Sequence, residues 1–150
     1  MNKLMRKGST GFTLIEVLLS IALITVLAGI AIPTYYSLLY RNDLDVVKNQ
    51  VVQSLRRAEV LSSVNDGDVT WGFKIQSGSI VIFKGTNYIS RAVNYDEIYQ
   101  ISNSITPSGL TEIVFAKMTG FPQSAGTVIL TSQNNETRNI TINSKGQISY

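Results

Sequence analysis

The sequence predicts an α+β fold, with one long N-terminal helix packed on a small antiparallel β-sheet domain. Three observations carry this. Residues 12–32 form an almost uninterrupted apolar run. Hydrophobic residues then recur in steps of three and four as far as Leu61, the pattern of an amphipathic helix. From Val69 onward the pattern changes to alternation with period two, punctuated by glycine and asparagine turns. A helix followed by a run of strands is the order expected when a helix covers a sheet.

The helix comes first. Within residues 12–32 the exceptions to apolar character are Thr13, Glu16, Ser20, Thr25 and the small Gly29. At a rise of about 1.5 Å per residue the run reaches roughly 30 Å, the thickness of a bilayer core. Lys3, Arg6 and Lys7 precede it with no acidic residue among them. The positive-inside rule then keeps the N-terminus cytoplasmic and exports the chain beyond Pro33. Pro33, with Gly29 close before it, is the expected kink, because proline lacks an N–H and crowds the carbonyl four residues back.

Beyond the proline, Leu44, Val47, Val51, Leu55, Ala58 and Leu61 define one face. Asp43, Asp45, Lys48, Arg56 and Glu59 fall largely off it. Asn65-Asp66-Gly67 is the expected stop and turn. The chain therefore divides into a membrane or filament-core helix at 12–33, its amphipathic continuation at 34–65 and a β-rich domain at 66–150.

In the β-rich part, Val69, Trp71, Phe73 and Ile75 alternate with polar or small residues. Ser77-Gly78-Ser79 turns the chain into a second strand at 80–83, which makes a hairpin. Further strands are expected at 89–93, 98–101, 113–115, 128–131, 139–142 and 147–150. Ser144-Lys145-Gly146 turns into the last of these.

Composition narrows the function. The 150 residues hold no cysteine and no histidine. Disulfides, thiolate nucleophiles and thiolate zinc sites are excluded, and the commonest general base and transition-metal ligand are missing. The reading is therefore a non-enzymatic protein with no catalytic residue, no cofactor and no metal site. The formal net charge is +3. Removing the first eleven residues takes Lys and Arg from 13 to ten, equal to the ten Asp and Glu. The basicity belongs to the leader and does not describe a partner of the remaining chain.

Glu16 is the anomaly in the apolar run. A carboxylate in a spanning helix costs up to about 2.5–3.5 kcal/mol on insertion scales, less near an end. A secretory signal peptide, cut at the small residues Gly29-Ile30-Ala31, leaves it unexplained, and so does a plain signal anchor. Gly11-Phe12 followed by Thr13-Leu14-Ile15-Glu16 resembles the class III signal of type IV prepilins and pseudopilins. That pattern is a short basic leader, Gly, an aromatic residue, three residues, Glu and a long apolar helix, and Pro33 stands where this family commonly bends.

The resemblance implies a cleaved leader at 1–11, with a prepilin peptidase cutting between Gly11 and Phe12 and N-methylating Phe12. It also implies an assembly charge pair, in which Glu16 answers the methylated amine of Phe12 on a neighbouring subunit. In low dielectric such a pair offsets much of the cost of burying either charge. The implied partners are the peptidase, other pilin or pseudopilin subunits, an inner-membrane assembly platform and, before assembly, membrane lipid. The implied location is a single pass through the inner (cytoplasmic) membrane, then a periplasmic pseudopilus or a cell-surface pilus.

The C-terminal stretch "GFPQSAGTVILTSQNNETRNITINSKGQISY" is similar to the H-type minor pseudopilins of type II secretion and the FimT-like minor pilins. The matching features are Gly120, Gly126-Thr127-Val128 and the segment 140–146. "LRRAEVLSS" at 55–63 and Trp71-Gly72-Phe73 fit the same group more loosely.

Other groupings read as structural. Trp71 on an alternating strand is expected in the core. Arg56-Arg57 reads as a solvated face rather than a phosphate clamp. Asp66, Gly67 and Asp68 lack the oxygens of a calcium loop. Asp96-Glu97 has no basic or nucleophilic companion in sequence and reads as a surface loop rather than acid/base chemistry. Some FimT-like pilins take up DNA through a Gly-Arg-x-Arg motif. Here Gly146-Gln147-Ile148-Ser149 stands in its place and both arginines are absent. Lys117, Arg138 and Lys145 are the remaining weak DNA-contact candidates, too few for a strong phosphate term.

The expected role is a structural subunit of a type IV filament system, whether type IV pilus, type II secretion pseudopilus or competence pseudopilus. A tip pilin binding DNA or an exported substrate, and an anchored extracytoplasmic domain of other function, are the alternatives.

Overall fold

The computed structural model describes residues 11–64 and 69–150, with the backbone alone at 31–34. The Asp66, Gly67 and Asp68 turn therefore lies outside the described residues. A helix α1 spans Leu14–Ser63. Strands come next as β1 (Trp71–Gln76), β2 (Ser79–Lys84), β3 (Glu97–Gln100), β4 (Thr106–Gly109), β5 (Glu112–Phe115), β6 (Gly126–Thr131), β7 (Thr137–Ile142) and β8 (Ile148–Ser149). The architecture is α+β, with the helix on two small antiparallel sheets ordered β3-β2-β1-β5 and β4-β6-β7-β8.

Among the described residues the chain divides into two units, 11–36 and 37–150. In the first, the described large apolar side chains are exposed, from 44% at Val17 to 83% at Phe12. The helix is long and apolar enough to cross a membrane, with a mean hydropathy of 2.6 over its most apolar stretch.

In the second unit the helix and both sheets share one core. Leu44, Val47, Val51, Val52, Leu55 and Ala58 come from α1. They meet Phe73, Ile75, Ile80, Ile82, Ile113 and Phe115 of the first sheet and Val128, Leu130, Ile140 and Ile142 of the second. The helical face read from three- and four-residue steps is the buried face, and Leu61 packs at its margin. Trp71 is 3% exposed, as a core strand residue should be.

Alternation along β2 gives the first sheet a second apolar face. Ile80 and Ile82 join the main core, whereas Val81 and Phe83 form a smaller cluster with Val114 and Tyr88. Gly72 lies directly under the Phe83 ring, and a Cβ there would come within 2.3 Å of it. Close approach of the ring therefore requires glycine at this position.

The expected strands at 98–101, 113–115, 128–131 and 139–142 correspond to β3, β5, β6 and β7, and the last one is β8. Residues 89–93 do not form a strand. Asn87 Oδ1 accepts the Ser90 N–H and hydroxyl, both at 2.8 Å, so a side-chain turn takes the place of a ladder. Gly85 at φ 146° starts this loop, and a 3-10 turn at Val93–Tyr95 ends it.

Strand β4 is not expected from the sequence, because Pro107 argues against a strand. It lies at the edge of the second sheet, opposite Leu130, where a residue without an N–H is tolerated. The chain then changes sheets within two residues. Leu110 N–H donates to Thr127 O, and Thr111 O accepts Ile75 N–H, each at 2.9 Å.

Candidate functional site

Gly11, Phe12 and Thr13 precede the first helical residue and have no regular structure. A Cβ on Gly11 would meet nothing within 4 Å, and Phe12 is 83% exposed. The Gly11–Phe12 peptide bond thus stands in open, non-helical backbone, the form a protease can draw into an extended cleft.

Helix α1 starts with a capping box. The Glu16 N–H donates to Thr13 Oγ1 at 3.3 Å, and the Thr13 N–H reaches Glu16 Oε2 at 3.5 Å. Thr13 is the N-cap and Glu16 the third helical residue, the spacing at which each satisfies an orphan donor of the other. A negative charge in the first turn also complements the helix dipole. The carboxylate is thereby held against Thr13, the residue next to Phe12. Thr13 escapes a reading by apolar periodicity, although Thr-x-x-Glu before an apolar run is the signature of such a start.

Further along, Ser20 donates to Glu16 O at 2.7 Å and Thr25 to Ala22 O at 2.8 Å. The two hydroxyls are satisfied by their own helix, which suits an apolar surrounding. Gly29 has open space where a Cβ would be. Pro33 is helical in backbone, and its side chain lies outside the described residues.

The three DNA-contact candidates do not converge. Arg138 pairs with Asp45 on the helix at 3.0 Å. Gly146, next to Lys145, approaches Glu59, with its Cβ position 3.1 Å from Glu59 Oε1. Met118, next to Lys117, donates its N–H to Ser62 O at 2.9 Å. Asp45 and Glu59 are fourteen residues apart, about 21 Å along a helix. Arg138 is therefore remote from the other two cations.

Asp96-Glu97 has no basic companion beside it in sequence, but the fold supplies one to each carboxylate. Asp96, with its side chain 4% exposed, pairs with Arg91 at 2.8 Å. Arg91 also donates to Tyr88 O and stacks over the Tyr88 ring, and both contacts brace the loop. Glu97 receives Arg57 from the helix through two guanidinium nitrogens, one of them at 2.6 Å. The Arg57 hydrogen bonds hold the Glu97 carboxyl below its usual range, and the Tyr99 hydroxyl adds a third donor. Burial and that carboxylate together push the Tyr99 phenol up. The solvated-face reading of Arg57 holds in part, because its side chain is 52% exposed.

Ser62 is absent from the face read by periodicity, yet it is fully buried. Its hydroxyl accepts the Trp71 N–H at 2.8 Å and donates to Phe115 O at 3.1 Å. It ties the helix end to the first residue of β1 and the last of β5. Only its place in the three- and four-residue series after Ala58 hints at burial.

The β-rich unit thus shows paired charges and a packed core, and the open chemistry lies at the start of the helix. No solved structure matches the chain. Residues 6–32 match the family model described as "Prokaryotic N-terminal methylation motif", a type IV prepilin-like signal that supports the prepilin and pseudopilin family and marks a pilin-like precursor processed by a prepilin peptidase.

Proposed function

We propose that this chain is a minor pilin or pseudopilin, a structural subunit of a type IV filament system assembled through its N-terminal helix. A peptidase cuts between Gly11 and Phe12 and methylates the new amine. Methylation leaves that amine charged, so cleavage creates a cation beside the Glu16 carboxylate. The observation that carries this reading is the position of Gly11-Phe12. The bond is in exposed non-helical backbone, two residues before the helix and within the matched motif.

The capping box supports the second step. It holds the carboxylate at the helix start, where the amine of an adjacent subunit can reach it. The chain is the substrate of the peptidase and performs no chemistry of its own. The glycines at 120, 126 and 146 are among the residues on which the resemblance to the H-type and FimT-like subgroup rests.

N-terminal mass spectrometry of the mature protein tests the proposal. The expected result is a chain starting at N-methylated Phe12. An intact Met1, or a start at Ile32, rejects it.

A further inference from the structure

The charge pattern leaves one quantity open, the depth of the helix in a bilayer. Residues 17–40 carry no Asp, Glu, Lys or Arg. That uncharged run is about 36 Å long, against a hydrocarbon core of roughly 30 Å. Charge alone therefore lets the helix slide by about 6 Å without moving an ionised group into lipid.

Two residues break this degeneracy. Tyr35 and Tyr36 lie near the far end of the uncharged run, 65% and 52% exposed, with ring centroids 6.0 Å apart in an edge-to-face pair. A tyrosine has an apolar ring and a wet hydroxyl, so it is most stable at the headgroup level. Successive helical residues point about 100° apart. The pair therefore covers a broad arc of the helix rather than one packing seam, as a lipid contact requires.

We propose that Tyr35 and Tyr36 form an interfacial anchor that fixes the depth of the precursor in the membrane by holding the outer headgroup layer. This rests on the pilin-precursor reading above. Its consequence lies at the other end of the helix. Glu16 is twenty residues before Tyr36, about 30 Å along the axis, which equals the hydrocarbon thickness. With Tyr36 at the outer boundary, Glu16 reaches the inner one. The carboxylate is then at the interface rather than in hydrocarbon, and the Gly11–Phe12 bond stands clear of the lipid on the cytoplasmic side.

The test uses the full-length precursor in phosphatidylethanolamine–phosphatidylglycerol vesicles. Tyr36→Trp reports depth through quenching by lipids brominated near the carbonyl end or near the methyl end of the acyl chain. Trp71 is buried at 3% exposure, so the wild-type protein supplies the background. The expected result is stronger quenching by carbonyl-end bromine. Stronger quenching by methyl-end bromine overturns the proposal.

A second arm follows cleavage by co-expressed peptidase in the double variant Tyr35→Leu/Tyr36→Leu. Processing should slow several-fold and recover in Tyr35→Trp/Tyr36→Trp, which restores interfacial rings. Unchanged processing in the leucine variant also overturns the proposal. The quenching arm needs no processing, and the methylation state of wild-type Phe12 reports on the precursor reading alone, so the two readings fail separately.

Discussion

Glu16 has an observed role and a proposed one that one substitution can separate. Its side chain completes a capping box with Thr13, and under the proposed processing its charge would face the amine created at Phe12. Glutamine serves the capping position as glutamate does, but has no charge. Glu16→Gln should therefore keep the helix start and be cleaved at the wild-type rate, because Gly11-Phe12 is untouched. It should still fail to enter filaments, as should Glu16→Ala. Immunoblots of sheared filaments and of total membranes measure both properties. Normal incorporation of Glu16→Gln with loss of Glu16→Ala would leave capping as the whole role of the residue. Normal incorporation of both would remove the charge pair from assembly.

At the level of elements, the helix is joined to the sheets by its apolar face and by side chains that cross between elements. Ser62 is the most enclosed of these, and Ser62→Ala leaves the Trp71 N–H and the Phe115 carbonyl buried without that partner. Loss of a typical intramolecular hydrogen bond costs about 0.5–1.5 kcal/mol. Denaturant unfolding should show a loss in that range with an unchanged m-value.

The Arg57–Glu97 pair is half exposed and should contribute less than about 1 kcal/mol. Its signature is pH dependence. The folded state holds the Glu97 pKa below its ordinary value, so it binds fewer protons than the unfolded chain. The stabilisation is present above the ordinary carboxylate pKa and is lost as pH falls through the folded one. Arg57→Ala should narrow its stability gap to wild type on acidification, and salt should narrow the gap at neutral pH. A gap independent of pH would assign Arg57 a packing role instead.

These cross-links also mark the limit of what the sequence discloses. Periodicity locates the buried helical face and most strands, because burial acts on every third, fourth or second residue. It misassigns 89–93, where a single Asn side chain replaces a ladder. It misses β4, where Pro107 is tolerated only because the strand is at an edge. Arg57 and Glu97 are forty residues apart, and only the folded chain brings them together. The N-terminal motif at residues 6–32 is legible because a linear signal needs no tertiary partner.

For the whole molecule, the proposed cleavage would change the charge balance. Lys3, Arg6 and Lys7 would leave with the leader, and the remaining ten Lys and Arg match ten Asp and Glu. Among the described residues, folding then uses five of those cations in ion pairs: Arg41 with Glu136, Arg57 with Glu97, Lys74 with Glu112, Arg91 with Asp96 and Arg138 with Asp45. Lys48 and Lys84 sit over the aromatic rings of Tyr150 and of Trp71 and Tyr95.

A phosphate backbone gains affinity from each cation that displaces a counterion, so binding strength depends on the number of cations that can face it together. Arg138 is committed to Asp45 and stands about 21 Å along the helix from the level of Lys145. The processed protein should therefore bind duplex DNA weakly, with a slope of log affinity on log salt no steeper than about −2. The precursor, which keeps three leader cations, should bind more tightly and more salt-sensitively. Gel shifts of both forms in the same detergent across a salt series measure the difference. Tight, steeply salt-dependent binding by the processed form would mean that the ion pairs open on DNA, and would move the protein from structural subunit to DNA receptor.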